Sequence, residues 1–416
     1  MLGDDLKHER APGSRWARLG ANFLLAATTC AALFIAAEIV TRRFFPVENV
    51  GTVIRFDPVL GWSLDPGSRV HVVDRGRGID YRVRVNSIGM REREVAERQP
   101  GRPRILHIGD SVAFGAGVDA RWRCSDFMAR ALAGTAEVLN TAVPGFGTDQ
   151  ELLLLQRIAP QLEPDIVVLD FFMVNDVINN GLEHLFLGTA PKPRFQVEGD
   201  SLVLASPVRR PETPPVRRVA YGFRNLLQES HFLVMLVRGL KRAGGAGAET
   251  PSHDAFPLGF GRGRGGASVT HWSVFESPYD AGMEKAWRTT EAILLGVKQY
   301  CDRIGADLIV FVFPLIEADD DWRQWLIEGA GVAADRLDFH APFVRLEGFC
   351  GRHGIDCVYP RAEFREAARR RQLYLERDGH PNAYGHALAA RVLLEHLRAR
   401  YSLDYHLSSA DLAFLD

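Results

Sequence analysis

The first long hydrophobic feature of this chain is an almost unbroken run, LGANFLLAATTCAALFIAAEIV, from Leu19 to Val40. At a rise of ~1.5 Å per residue a helix of that length spans about 33 Å, close to the thickness of a bilayer core. Asn22 and Glu38 are its strongly polar residues. Glu38 sits near one end, where a carboxylate reaches the interface at lower cost than at the centre. Three readings fit: a retained anchor, a cleaved signal peptide, or a buried soluble helix. The run continues past its weak cleavage-like site, Ile35-Ala36-Ala37, which favours the anchor. Thr29 before Cys30 fits a lipoprotein-type cleavage poorly.

Beyond residue 50 the pattern changes. Short β-prone runs, Arg69-Val70-His71-Val72-Val73 and Tyr81-Arg82-Val83-Arg84-Val85, sit between Gly and Pro punctuation and predict a small β-rich lead-in over 51–100. After Gln99-Pro100-Gly101-Arg102-Pro103, apolar strands alternate with helical stretches. Strands are predicted at 104–109, 137–140, 165–171, 307–313 and 354–359. Helices are predicted at 122–133, 150–158, 286–304 and 383–401. This alternation implies a three-layer α/β/α domain whose parallel sheet is covered on both faces. Residues 181–282 break the rhythm with much Pro and Gly, an apolar stretch (His231–Val237) and GFGRGRGG at 259–266. They predict a long, partly disordered insertion. Gly261-x-Gly263-x-x-Gly266 follows no strand and opens no helix, so it reads as a loop rather than a dinucleotide site. The chain thus divides into a tail (1–18), an anchor (19–40), the lead-in (51–100), a main domain (101–401) and a C-terminal tail (402–416).

Composition adds limits. The 416 residues are 46% hydrophobic and 25% charged, enough to bury a large core. A net charge of -2 offers no global field for nucleic acid, and none is expected as a partner. Lys7, Arg10, Arg15 and Arg18 precede the apolar run, and Arg42, Arg43 and Arg55 follow it. That small excess favours a cytoplasmic N-terminus and an extracytoplasmic main domain on a single-pass anchor. Five cysteines are too few for a disulfide scaffold; Cys350 and Cys357 are either a bridge or two buried thiols. No zinc-type spacing occurs, so neither metal nor cofactor is expected. Oligomeric state is open.

The candidate chemistry stands at strand ends, where ligands of open parallel sheets bind. The first strand runs into Gly109-Asp110-Ser111, with Gly115 and Gly117 behind it. Ser111 reads as a nucleophile or, with Asp110, as a helix cap. The second strand reaches Pro144-Gly145-Phe146-Gly147, where Gly145 either aims its N–H into the crevice or simply turns the chain. The third ends in Met173-Val174-Asn175-Asp176, an amide for a site or a strand-ending cap. Near the C-terminus comes Arg377-Asp378-Gly379-His380-Pro381-Asn382. A His just before a helix, with an acid two residues earlier, suits a general base or a surface loop.

Taken together, these four blocks resemble the SGNH, or GDSL-type, hydrolase family over roughly residues 104–180 and 286–400. FDPVLGWSLDPG, VNSIGMRERE and the apolar N-terminal run resemble a membrane-bound branch of it. The resemblance implies a flavodoxin-like sheet and a serine esterase. Ser111 would be the nucleophile and His380 the base, with Asp378 orienting it. The N–H groups of Ser111 and Gly145 and the Asn175 amide would form the oxyanion hole. Two positions depart from the pattern. Met173 stands where the family has Gly two residues before Asn175. Arg377 stands where it has Asp three residues before His380, leaving Asp378 one residue closer and Glu376 as a weaker substitute. The expected substrate is an acyl ester of an envelope glycan or lipid, such as an O-acetyl group. The alternatives are an O-acyltransferase using the same site and a non-catalytic envelope-assembly or carbohydrate-binding protein.

Overall fold

The computed structural model describes residues 13–45, 47, 52–75, 78–173, 175–182, 184–185, 190–199, 201–208, 230–243, 273–314, 323–324, 327, 334–375 and 379–415. The chain opens with helix α1 (Gly13–Phe44). Two antiparallel hairpins follow, β1 (Ile54–Asp57) with β2 (Gly61–Leu64) and β3 (Arg69–Asp74) with β4 (Ile79–Arg84). Next come β5 (Arg104–Gly109), α2 (Ser111–Phe114), α3 (Cys124–Ala131), β6 (Glu137–Asn140), α4 (Thr148–Leu162), β7 (Ile166–Phe171) and α5 (Asp176–Gly181). The insertion holds β8 (His184–Leu185) paired with β9 (Ala190–Pro191), β10 (Arg194–Glu198) paired with β11 (Ser201–Ser206), and α6 (His231–Ala243). The main domain resumes with α7 (Ala281–Ile304), β12 (Asp307–Val312), α8 (Ala341–His353), β13 (Asp356–Val358), α9 (Arg361–Ala368), α10 (Ala383–Tyr401) and α11 (Ser409–Leu415). Two compact units result: α1 with α6, and everything else.

The second unit is built on a five-stranded parallel sheet in the order β13-β12-β7-β5-β6. Counted along the chain and read from its other edge, this is the 2-1-3-4-5 order of flavodoxin-like folds. β5 (RILHIG) and β7 (IVVLDF) are buried at every position, which is why they are mostly apolar rather than alternating, with Arg104, His107 and Asp170 as their polar exceptions. α7 buries Met283, Ala286, Trp287, Thr290, Ile293, Leu294, Val297 and Cys301, a stripe at three- and four-residue intervals. Burying each large aliphatic or aromatic side chain of this kind contributes about 1.5–3 kcal/mol.

The lead-in hairpins pack on this domain. Leu60, Trp62, Tyr81 and Val83 form one cluster with Phe114, Val143 and Phe146, residues that flank the Ser111 and Gly145 turns. Buried Arg91 ties the lead-in down further. Its guanidinium donates to the carbonyls of Phe114 and Gly115 (2.8 Å each) and Val118 (2.7 Å), all on the turn after Ser111.

Part of the insertion is ordered: β10 and β11 pair through Phe195↔Leu204 and Val197↔Leu202, and both Phe195 and Leu202 pack on the main core. Much of the glycine-rich stretch, including 259–266, lies outside the described residues. Within the C-terminal tail, α11 buries Leu415 and stacks Phe414 on Trp122 at 4.6 Å. Cys350 and Cys357 are free thiols. α8 and α9 escaped the sequence reading because their apolar positions are interrupted by arginine and glycine.

Candidate active site

The sheet order places the site. β5 has β6 on one side and β7 on the other, so its C-terminal end opens at the point where the connections diverge. Ser111 is the first residue of α2, directly after β5, and is almost completely buried. Asp110 forces the turn: its Oδ1 accepts the Val112 N–H at 2.7 Å and caps the helix. The Asn140 amide, at the end of β6, donates to the Ala113 carbonyl at 2.8 Å and fixes α2 from the other side.

Gly145 follows β6. Its φ of +79° is left-handed, a conformation that costs glycine nothing and other residues a strain penalty. Pairing with the β5 side continues past the strand, since Val143 N–H donates to the Gly109 carbonyl at 3.0 Å. The Gly145 turn is thus carried toward Ser111. The peptide between Pro144 and Gly145 is also oriented from the lead-in. Trp62 Nε1 donates to the Pro144 carbonyl at 2.9 Å, with its ring edge-on to Phe146. In a trans peptide the N–H points opposite to the C=O, so a bond that fixes the Pro144 oxygen fixes the Gly145 N–H as well.

Asn175 immediately precedes α5, beyond β7, and is buried. Its Nδ2 donates to Asp110 Oδ2 at 2.6 Å, which holds the amide beside the Ser111 turn and leaves its second N–H available. Among the described residues, the Ser111 hydroxyl makes no hydrogen bond, and no group accepts the backbone N–H of Ser111 or of Gly145. Three donor groups that sequence reasoning singled out are therefore uncommitted, in whole or in part.

His380 is also buried. It lies in a closed loop: Tyr374 bridges Pro381, Leu375 N–H donates to the His380 carbonyl at 2.8 Å, and Asn382 N–H donates to the Leu373 carbonyl at 2.9 Å. Asn382 then caps α10 through the N–H groups of Tyr384 and Gly385. The Tyr374 hydroxyl donates to the Pro314 carbonyl just past β12. The loop meets the turn after Ser111 at Gly117, where Leu375 Cδ1 occupies the space a Cβ would need. His380 lies near enough to Asp110 for their charges to interact. It is not hydrogen-bonded to Ser111. Asp378, Glu376 and Arg377 lie outside the described residues.

Sequence reasoning missed a set of buried acids behind these groups. Asp110, Asp149, Glu151, Asp170 and Asp176 are all buried. Asp149 is paired with buried Lys192, and Asp170 with His107 at 2.8 Å. Asp176 accepts the Phe172 N–H at 2.7 Å. Neither Glu151 oxygen has a hydrogen-bond partner among the described residues. Burial raises the Asp110 carboxyl, while Asn175, the Val112 N–H and His380 pull it back. Glu151 is held well above the usual carboxylate range, first by burial and then by Asp176, Asp110 and the other neighbouring acids, and Asp176 likewise by burial and then by Asp110 and Asp149. In the sequence, Asp149 and Glu151 are an acidic pair at the start of a helix, which reads as ordinary dipole complementation.

This arrangement has a pH signature. A carboxyl whose folded pKa is raised binds more protons folded than unfolded. Stability is then complete below the unfolded carboxyl range and declines as pH rises toward the folded value. Glu151→Gln removes one such group. The variant is expected to lose less melting temperature than the wild type between about pH 5 and pH 8, as read by differential scanning fluorimetry. A parallel or steeper decline would place the Glu151 carboxyl in the ordinary range.

No family model matches the chain, and neither does any curated protein. Among solved structures, it is similar to a member of the lipolytic G-D-S-L family from Veillonella parvula. That pair is 11% identical with a TM-score of 0.35, over 70% of this chain and 96% of the other. It is also similar to Axe2, an acetylxylan esterase from Geobacillus stearothermophilus (12% identical, TM-score 0.33, 72% and 96% covered). A third is a GDSL-like lipase from Bacteroides thetaiotaomicron (10% identical, TM-score 0.34, 73% and 92% covered).

Proposed function

We propose that this chain is a serine esterase, anchored in a membrane by α1, that hydrolyses acyl esters of an envelope glycan or lipid. One observation carries the reading. At the end of β5, the Ser111 hydroxyl and the backbone N–H groups of Ser111 and Gly145 have no hydrogen-bond partner among the described residues, and Asp110, next to Ser111, holds the Asn175 amide. Pre-aimed donors of this kind stabilise an oxyanion as it forms, at little reorganisation cost.

In the proposed reaction, Ser111 Oγ attacks the ester carbonyl while His380 takes its proton. The carbonyl oxygen becomes an oxyanion facing the three donors. Collapse of the tetrahedral intermediate breaks the bond to the alcohol, which leaves with the proton from His380. Water, deprotonated by His380, then attacks the acyl-serine and releases the acid. Asp378 is assigned the orienting role by sequence position. The membrane assignment is supported by α1, whose segment Trp16–Phe44 is long enough to span a bilayer and contains an 18-residue stretch with a mean hydropathy of 2.1.

The test is ester turnover by the full chain in detergent, on p-nitrophenyl acetate and longer acyl esters, then on O-acetylated oligosaccharides and phospholipids. Turnover of the activated esters is expected, with the natural class revealed by the higher kcat/KM. No turnover of any ester would remove the reading. Within an active enzyme, Asn175→Ala is expected to lower kcat by about 10²–10³ with KM little changed, since the lost donor acts on the transition state. Unchanged kcat would take Asn175 out of the oxyanion hole.

A further inference from the structure

Glu38 poses a question that a single membrane helix does not answer. It stands near the end of the apolar span of α1, where a lone carboxylate would be expected to reach toward water. Its side chain is nevertheless 15% exposed, because the start of α6 covers it. Ser230 Oγ donates to Glu38 at 2.7 Å, and the N–H groups of His231 and Phe232 donate at 3.0 Å each. Arg42, one turn on, completes the set. The carboxylate thus caps α6 from a neighbouring helix, satisfying N–H groups that a helix start leaves open and complementing its dipole. The contact extends along α1, with Phe34 edge-on to Phe232 at 6.1 Å and Val47 N–H donating to His231 Nδ1 at 3.0 Å.

α6 is strongly amphipathic. Phe232, Met235, Leu236 and Leu240 recur at helical spacing, with His231 and Arg238 on the opposite arc. Met235, Leu236, Val237 and Leu240 are exposed, Leu240 by 64%. This face is continuous with the exposed apolar belt of α1, through the Phe34–Phe232 contact. Glu38 lies about 9 Å along the helix from Phe44, and Arg42 and Arg43 mark that end as a membrane–water boundary. The helix that begins on Glu38 therefore starts at interfacial depth.

We propose that α6 is a lipid-contacting helix, docked on α1 by the Glu38 cap, that lays its Met235–Leu236–Leu240 face into the bilayer interface. The chain then meets its membrane through two helices rather than one. This rests on the reading of α1 as an anchor, so the two are tested separately. Carbonate extraction of native membranes tests the anchor, which predicts retention in the pellet. For α6, full-length protein is placed in nanodiscs of phosphatidylethanolamine and phosphatidylglycerol, at one copy per disc. Leu236→Cys, Leu240→Cys and, on exposed α11, Ser409→Cys are labelled with a membrane-impermeant maleimide, with the wild type measuring its own thiols. Positions 236 and 240 are expected to label at least about tenfold more slowly than 409, and Glu38→Ala to narrow that gap. Equal rates in a carbonate-resistant protein overturn the α6 assignment and leave the anchor standing. Release by carbonate overturns both. Protection that appears only in discs carrying two copies gives the face to a second chain and also overturns it.

Discussion

Ser111→Ala is expected to abolish ester turnover, lowering kcat by about 10⁴–10⁶ while leaving the melting temperature close to that of the wild type. The size follows from the proposed role. Alanine at this position removes the only atom that forms the covalent intermediate, yet the turn that carries it is held by other groups. Asp110 caps Val112, Asn140 holds Ala113, and Arg91 holds the carbonyls of Phe114 and Gly115. The Ser111 hydroxyl contributes no hydrogen bond to that scaffold, so its loss is a loss of chemistry. Stopped-flow and steady-state measurements on a p-nitrophenyl ester give the rate, and scanning fluorimetry gives the fold. A variant that keeps a tenth of the activity would show that another group attacks the ester.

His380→Ala is expected to have a similar effect, about 10³–10⁶ on kcat, because an unassisted serine hydroxyl is a poor nucleophile at neutral pH. The two effects are not additive: the double variant should be little worse than either single one, as for any pair acting in one step. The loop around His380 is closed by backbone bonds from Leu375 and Asn382, and these survive the substitution. The absence of a Ser111–His380 hydrogen bond is compatible with the assignment, since such contacts often tighten only when substrate is bound. An additive double variant would separate the two residues into different steps.

Much of this architecture was legible in the sequence, and the reason is physical. Strands buried on both faces are mostly apolar, so β5, β7 and β12 declared themselves. The end of β5 was readable because Gly-Asp-Ser combines a turn, a cap and a hydroxyl in three residues. The lead-in was legible only as β-rich. What it does depends on tertiary placement: Trp62 fixes the Pro144–Gly145 peptide and Arg91 the carbonyls after Ser111. Nothing in the local pattern of either residue signals a partner tens of residues away. The buried acids were hidden for the same reason, since Glu151 looks like any first-turn helix glutamate until its surroundings are known. Glu38 was read as a polar residue near a helix end; its capping of α6, nearly two hundred residues later, is a contact no periodicity records.

The central claim is that Ser111 is an activated nucleophile, and a fluorophosphonate tests it most directly. The full chain in detergent is treated with the probe, digested and analysed by mass spectrometry. The account predicts one phosphonylated peptide, carrying the adduct on Ser111, formed rapidly by the wild type, slowly by His380→Ala and not at all by Ser111→Ala. An unlabelled wild type, or an adduct on another residue that survives Ser111→Ala, would contradict it.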